Sequence, residues 1–152
     1  DRASDAELTL LALQGSDCAP NAVWLPSGSS ALEYLFGGQL AHERMQRIPR
    51  LLLIDAELPG ISGFELLERI RVEPTTWHVP AVLLSARDDS ASLKAAYAGG
   101  ANGYVIKASD YRRFAADVDR LARYWLITNC APANTAVSSA SKASSYNTCC
   151  EH

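Results

Sequence analysis

The chain has 152 residues, of which 48% are hydrophobic, with a formal net charge of -3 and a pI near 5.6. This length fits one domain with enough chain for a sizeable core. The mild acidity gives no electrostatic basis for binding nucleic acid, and no apolar run approaches the roughly 18 residues of a membrane span. We therefore expect neither a nucleic-acid partner nor a membrane partner.

Cysteine usage and the first residues of the chain favour a reducing compartment. The four cysteines are Cys18, Cys130, Cys149 and Cys150, and none forms a CxxC pair. This is neither a zinc spacing nor a disulfide framework. No charged segment followed by an apolar one opens the chain, as it does in a secretion signal. We expect a cytoplasmic protein.

The first predicted element is a helix from Ser4 to about Gln14. Ser4 and Glu7 have the spacing of a capping box, in which the serine is the N-cap. A short strand over residues 22–25 follows, and Pro26 closes it.

A second helix is predicted over residues 31–36, with Ser29 or Ser30 as its N-cap and Gly37 at its end. The basic segment 39–50 then predicts a surface loop. A contact with a partner protein is the alternative for this segment, and a solvated loop is favoured.

The strand Leu51–Asp55 organises the chain. A run of large aliphatic residues without alternation predicts a strand buried on both faces, as in a parallel sheet. Pro59 and Gly60 follow and end it. Because open parallel sheets bind ligands at the carboxyl ends of their strands, Asp55 is placed where such folds do chemistry. The alternative is that Asp55 only caps the next turn.

Helices and strands then alternate. The predicted elements are a helix over 64–71, a strand over 81–84 followed by Ser85, a helix over 88–98, a strand over 103–107 ending in Lys107, and a last helix capped by Ser109 or Asp110 with Phe114, Val118, Leu121, Trp125 and Leu126 on its apolar face. This alternation predicts right-handed βαβ units and a parallel sheet covered on both faces. We expect residues 1–127 to form the domain and residues 128–152 to form a flexible Ser-, Ala- and Asn-rich tail, with a tag remnant at its end.

Three predicted strands end in different polar residues, namely Asp55, Ser85 and Lys107. Parallel strands bring these ends to one edge of the sheet, where a carboxylate, a hydroxyl and an ammonium converge. A carboxylate can attack phosphorus and form an aspartyl phosphate. The lysine and serine can hold the phosphoryl oxygens while Mg²⁺ offsets their charge.

Three stretches around these strand ends form a pattern of known type. They are LLLIDAELPGISGFELL from residue 51, VPAVLLSA from residue 79 and GANGYVIK from residue 100. With their spacing, they resemble the receiver domain of a two-component response regulator over residues 5–126. ALEYLFG from residue 31, the basic loop before Asp55 and RYWL from residue 123 resemble the single-domain regulators that partner bacterial phytochrome kinases.

The resemblance implies an α/β fold: a flavodoxin-like (CheY-like) doubly wound parallel sheet in the order 2-1-3-4-5. It implies that Asp55 is the phosphoacceptor, that Ser85 follows the phosphoryl group and that Lys107 pairs with the phosphoryl oxygens. It further implies that Tyr104 is the aromatic switch. Mg²⁺ would be held by Asp55 and the backbone carbonyl of Glu57.

The function implied is that of a signalling switch. A sensor histidine kinase, in this case a bacterial phytochrome, would phosphorylate Asp55. The protein would then signal by a conformational change without an output domain, and not as a turnover enzyme. A homodimer is expected through the fourth helix, fifth strand and fifth helix of the receiver fold, or through the C-terminal helix at residues 124–126.

The sequence departs from the family at two places. By alignment, Asp1 matches the second of two acids that hold the metal, whereas the first acid and the whole first strand are missing from this sequence. Ala108 stands where the family has a proline behind a cis bond. We therefore expect either a trans Lys107-Ala108 bond with a shifted loop or a strained cis bond.

Two charged residues flank the predicted site, and we expect them to tune it. Glu57 lies two residues after Asp55, and Arg87 lies two residues after Ser85. Opposite charges on neighbouring loops can pair across the mouth and block the attacking water, which predicts slow loss of the phosphoryl group. The alternative is two solvated charges of little energetic consequence.

Other functions remain open. A degenerate receiver would act as an interaction module without phosphorylation. A phosphatase-like hydrolase would use Asp55 as its nucleophile, but it usually has a second Asp where this chain has Glu57. A flavin-binding domain of the same topology would need a phosphate-binding loop after the first strand, and this loop is not seen.

Overall fold

The computed structural model describes residues 2–14, 21–37 and 48–131, with side chains for residues 7–13 in the first range. Within these ranges the chain forms five α-helices, three β-strands and a closing π-helix. In chain order they are α1 (Arg2–Gln14), α2 (Gly28–Phe36), β1 (Leu52–Asp55), α3 (Gly63–Val72), β2 (Ala81–Ser85), α4 (Ser90–Ala98), β3 (Gly103–Ile106), α5 (Tyr111–Arg123) and the π-helix (Tyr124–Thr128). The predicted alternation from residue 51 onward is confirmed.

The three strands form a parallel sheet in the order β1-β2-β3. All residues of β2 are buried, because a strand lies on each side of it and helices cover both faces. In β1 only Ile54 is buried, and its other residues are half-buried. Both faces of this strand pack against a core, with Leu52 and Ile54 on one side and Leu51 and Leu53 on the other, as predicted. The strand is less deeply buried than expected, because among the described residues β1 pairs with β2 alone.

Helices cover the sheet on both faces, as predicted. On one face, α2, α3 and α4 pack on a core that contains Ile54, Leu83 and Leu67. On the other face, α1 and α5 pack on a core that contains Val82 and Val118. Each core is mostly aliphatic, and the two share β2, so this strand fixes the sheet between the helical layers.

Residues 22–25 have no regular secondary structure, so the strand predicted there is wrong. Val23 is 60% exposed and Trp24 is 51% exposed. Strand propensity needs a neighbouring strand to be realised. In the described ranges the sheet ends at β1 and corresponds to strands three to five of the order 2-1-3-4-5.

The first two helices begin at other residues than predicted. α1 begins at Arg2, so Ser4 lies within the first turn and is not the N-cap. α1 packs against α5, and packing of this kind contributes most of the stability of a helix in a protein. In α2 the N-cap is Ser27, which accepts a hydrogen bond from the Ser30 amide at 3.1 Å. Ser30, the third helical residue, accepts in turn a hydrogen bond from the Ser27 amide through its Oγ, which completes a capping box.

Two aspartates cap the later helices. α4 begins at Ser90 rather than Asp88, because Asp89 accepts hydrogen bonds from two amides of the first turn. The main-chain bond from Ser92, followed by the bond from its hydroxyl, holds the pKa of Asp89 below its usual value. Asp110 caps α5 by accepting from the Arg112 amide at 2.9 Å, and this confirms one of the two predicted caps.

Arg71, at the end of α3, binds two segments at the amino ends of the strands. Its Nε donates to the Gly100 carbonyl at 2.7 Å, and its Nη1 donates to the carbonyls of Trp77 and Val79 at 3.0 and 2.9 Å. Its Nη2 donates to Oδ1 of Asn102 at 2.8 Å. Burial lowers the pKa of Arg71. This side chain thus joins α3 to the connection before β2 and to the connection between α4 and β3.

The described chain closes with the π-helix. Trp125 and Leu126 pack against the core beneath α5, whereas Tyr124 and Ile127 are more than half exposed. The predicted tail beyond residue 131 and most of the predicted loop 39–50 lie outside the described residues. In the ranges that are described, no helix combines the length and apolar character needed to cross a membrane.

Candidate functional site

The carboxyl ends of the three strands form the candidate site. Asp55 is the last residue of β1, Ser85 is the last residue of β2, and Lys107 follows the end of β3. Parallel register aligns Asp55 with Leu84 and Ser85 with Ile106. The structure therefore brings the three polar residues to one edge of the sheet.

Asp55 and Lys107 form a sheltered ion pair. Lys107 Nζ lies 2.7 Å from Asp55 Oδ2, and the two side chains are 14% and 24% exposed, respectively. The other carboxylate oxygen, Oδ1, accepts a hydrogen bond from the Glu57 amide at 2.9 Å. Both oxygens are thus fixed by donors, while the carboxylate keeps access to solvent. Such a group can act as an oriented oxygen nucleophile.

The backbone after β3 keeps Lys107 in place. Its amide donates to the Ser85 carbonyl at 2.8 Å, which extends the strand pairing by one residue. The described residues contain no cis peptide bond, so the Lys107-Ala108 bond is trans. Of the two expectations for this bond, the trans geometry holds, and it allows the lysine to reach Asp55.

Ser85 and Tyr104 are linked through the loop after β2. Ser85 is fully buried, and its Oγ accepts a hydrogen bond from the Arg87 amide at 3.0 Å. Tyr104 is partly buried, packs against the core beneath α4 and donates from its hydroxyl to the Arg87 carbonyl at 2.9 Å. The main chain of Arg87 is therefore bound by both predicted switch residues, at its amide by Ser85 and at its carbonyl by Tyr104.

The charges of Glu57 and Arg87 meet between two loops that border the site. Arg87 Nε lies 3.5 Å from Glu57 Oε1, with side chains 66% and 38% exposed, respectively. This contact joins the loop after β1 to the loop after β2. An exposed pair of this kind contributes about 0–1 kcal/mol to stability.

Gly63 fixes the helix that follows Asp55. Its amide donates to the Ala56 carbonyl at 3.1 Å. A Cβ at this position would collide with the Asp55 carbonyl oxygen and lie 2.8 Å from Ala56 Cα. Ser62 caps α3 by accepting from the Glu65 amide at 3.2 Å. The helix predicted over 64–71 thus begins one residue earlier, at Gly63, and the Ser-Gly pair before an amphipathic helix was the available signal for this contact.

The donors available to a divalent cation are few in the described residues. They include the Asp55 carboxylate and the Glu57 carbonyl, and no cluster of three His, Cys, Asp or Glu side chains occurs there. Mg²⁺ is usually bound through one or two carboxylates while it keeps several waters, so these donors fit a hydrated Mg²⁺. Asp1, the other predicted ligand, lies outside the described residues.

An open groove of about 460 Å³ runs beside Tyr104. It lies between β3 and α5, and its walls include Ile106, Leu121 and Tyr124 together with charged residues of α5. Ile106 is 48% exposed and Tyr124 is 52% exposed. The groove thus connects the predicted switch residue to an outer surface that mixes apolar and charged groups.

Comparison with known proteins agrees with this geometry. The model of the response regulator receiver domain family matches residues 6–119. The chain is 29% identical over 132 residues to the probable methanogenesis regulatory protein FilR2 of Methanothrix harundinacea, covering 87% of this chain and 83% of that protein. It is 39% identical over 77 residues to the phosphate regulon transcriptional regulatory protein PhoB of Rhizobium meliloti, covering 50% of this chain and 34% of that protein.

Among solved structures, the chain resembles the phosphorylated cyanobacterial phytochrome response regulator RcpA. The TM-score is 0.79 at 27% identity, and the match covers 88% of this chain and 94% of RcpA. The chain spans about a third of PhoB but nearly the whole of RcpA. The family match covers well over half of the sequence, and the flavodoxin-like fold agrees with it. The chain therefore belongs to the response regulator receiver domain family of signalling proteins.

Proposed function

We propose that this receiver is a working phosphoacceptor and that Asp55 accepts the phosphoryl group from a sensor histidine kinase. The observation that carries this proposal is the Asp55–Lys107 contact of 2.7 Å at the carboxyl edge of the sheet. A lysine held at a carboxylate is placed to neutralise a phosphoryl group bound there. Ser85 ends the adjacent strand at the same edge.

The transfer is a displacement at phosphorus. A carboxylate oxygen of Asp55 attacks the phosphorus of a phosphohistidine, an O–P bond forms, and the N–P bond breaks. The histidine nitrogen leaves with the electron pair and takes up a proton. Lys107 and Ser85 then donate to the phosphoryl oxygens.

Receiver domains bind Mg²⁺ or Mn²⁺ at the phosphorylation site. In this chain, Asp55 and the Glu57 carbonyl, with Asp1, are the residues that would hold Mg²⁺. When bound, the ion would supply positive charge that offsets the charge on the phosphoryl oxygens.

Signalling then proceeds through the surface beside Tyr104. Movement of Ser85 toward the phosphoryl group changes the contacts of Arg87, and Tyr104 responds because it is bound to the same residue. The face formed by α4, β3 and α5 would thereby change its affinity for a partner. A homodimer through this face, or through the π-helix with its exposed Tyr124, is one form of this output.

The similarity to RcpA supports a kinase partner of the bacterial phytochrome type, since RcpA is a phytochrome response regulator and is phosphorylated in its structure. We further propose that residues 1–127 form the receiver, that residues 128–152 are a tail and that the protein acts in the cytoplasm. In this scheme the protein is a phosphorylated switch that loses its own phosphoryl group, not a turnover enzyme.

The test is phosphorylation by acetyl phosphate, followed by intact mass. We expect a gain of one phosphoryl group that depends on Mg²⁺ and is absent in Asp55→Ala. Chelation of the metal should abolish the gain, whereas Asp88→Ala, which removes an exposed carboxylate in the loop after β2, should retain it. Folded protein that gains no phosphoryl group would contradict the proposal and favour a receiver that acts only as an interaction module.

A further inference from the structure

An exposed tryptophan lies at the amino ends of the strands, remote from Asp55. Trp77 belongs to the connection from α3 to β2 and is 60% exposed, and Val72, the last residue of α3, is 78% exposed. The rings of Trp77 and His78 meet edge-on, with their centroids 5.8 Å apart. We call Val72, Trp77 and His78 the tryptophan patch. Large apolar groups that lie together on a surface mark an interaction site more often than scattered ones do.

The main chain that carries the tryptophan patch is held by hydrogen bonds. The Trp77 amide donates to the Glu73 carbonyl at 2.9 Å, and the Trp77 carbonyl accepts from Arg71 Nη1 at 3.0 Å. Thr76 is buried, and its hydroxyl donates to the Ile70 carbonyl at 3.0 Å. A side chain presented from a fixed main chain loses less conformational entropy on binding. Tryptophan is also among the residues that contribute most to binding in protein interfaces.

Opposite charges lie at the two ends of the connection that carries Trp77. Glu73 begins this connection at the end of α3 and is exposed. Pro80 ends it, and its carbonyl accepts from the Leu52 amide at 2.8 Å, which places the start of β1 beside it. Arg50, two residues before Leu52, is exposed. Neither Glu73 nor Arg50 forms an ion pair with another described residue. Along the connection, Trp77 thus lies between an acid and a base.

We propose that the tryptophan patch is a contact between two copies of this chain, related by a two-fold axis at Trp77. In a two-fold contact the same surface serves both copies, so the surface must be complementary to itself. An aromatic centre with an acid on one side and a base on the other meets this requirement. Glu73 of each copy then faces Arg50 of the other copy, while the two tryptophans pack at the axis.

This contact goes beyond the proposed function and does not depend on phosphorylation. It uses other residues than the face formed by α4, β3 and α5 or the π-helix. Because the tryptophan patch lies at the amino ends of the strands, the contact leaves the Asp55 edge of the sheet open in both copies. The patch is small beside the roughly 800 Å² per partner of a stable interface, so the dimer is weak and depends on protein concentration.

The first experiment is analytical ultracentrifugation of the unphosphorylated protein at rising concentration. We expect a shift from monomer to dimer. Trp77→Ser should raise the dissociation constant at least about tenfold, because it removes the central aromatic residue from both copies. Trp24→Ser is the matched control, since Trp24 is 51% exposed and precedes α2, and it should leave the dissociation constant unchanged.

The second experiment reverses the charges at the two ends of the contact. Glu73→Arg places two cations opposite each other, and Arg50→Glu places two anions opposite each other. Each variant alone should dimerise about two- to tenfold more weakly. An equimolar mixture of the two variants should recover the association of the wild type, because opposite charges then meet at both ends of the mixed dimer. A role of either residue in its own fold could not be restored by mixing.

Three results would overturn the proposal. They are a protein that stays monomeric at every concentration, a dimer that Trp77→Ser leaves intact, and a mixture that associates no better than its components. A dimer that is lost in Ile106→Ser or Tyr124→Ser, and kept in Trp77→Ser, would place the contact at the groove beside α5 instead.

Denaturant unfolding shows whether Trp77→Ser keeps its fold. If this variant is destabilised, the mixing experiment decides, because both charge variants retain Trp77. No phosphoryl donor is present in these measurements. A monomeric protein therefore leaves the proposed phosphorylation of Asp55 untouched, and a protein that gains no phosphoryl group leaves the two-fold contact untouched.

Discussion

At the scale of single residues, the position of Asp55 depends on a glycine that carries no chemistry. Gly63 begins α3 and lies against the main chain of Asp55 and Ala56. No side chain fits between this helix and the strand end. Gly63 thus sets how closely α3 approaches β1, and with it the direction in which the Asp55 carboxylate points.

Gly63→Ala should therefore lower the free energy of unfolding by about 1–3 kcal/mol, because the added methyl group forces the helix away from β1. Denaturant unfolding measures this change, and uptake of the phosphoryl group should also slow. Gly60→Asn is the control. Gly60 has a φ of 77° with open space around its Cβ position, and asparagine tolerates that backbone. Equal stability of Gly63→Ala and wild type would contradict this account of the site.

At the scale of elements, the amino ends of the strands are held by one side chain. Arg71 reaches from α3 to the carbonyls before β2 and to the turn before β3. Asn102 completes the arrangement, since its Oδ1 also accepts from the Ala81 amide at 2.9 Å. Gly100 has a φ of 91°, and a Cβ there would lie 3.0 Å from Arg71 Cγ. The end of the sheet remote from the site is thus fixed by a cation bound to backbone oxygens.

Arg71→Lys should cost about 2–3 kcal/mol of stability, because an ammonium cannot reproduce the planar array of donors. The measurement is again denaturant unfolding. Arg69→Lys, on the same helix in an exposed ion pair with Glu65, should change stability by less than about 0.5 kcal/mol. A loss of similar size in both variants would show that the contacts of Arg71 contribute no special stability.

At the scale of the whole molecule, local patterns predict much of the fold. Aliphatic runs and the turn residues after them locate β1, β2 and β3, and parallel pairing then explains why Asp55 and Lys107 meet across 52 positions of sequence. Caps are predicted less well, as Ser27 and Asp89 show, because several serines or aspartates compete within one turn.

Features that depend on distant parts of the chain were not predicted. Residues 22–25 have strand propensity, but they do not join the sheet in the described structure. Arg71 falls on the apolar face of its helix, and nothing local signals that its guanidinium binds residues as far away as Asn102. The link from Tyr104 to Arg87 likewise arises from folding and not from spacing.

The most direct test of the central claim is to locate the phosphoryl group. Protein treated with acetyl phosphate and Mg²⁺ is reduced with borohydride, which converts an aspartyl phosphate to homoserine, and then digested and sequenced by tandem mass spectrometry. We expect homoserine at position 55 and unmodified aspartate there when Mg²⁺ is withheld. Homoserine at another acidic residue, or at none in folded protein, would contradict the assignment of Asp55 as the phosphoacceptor.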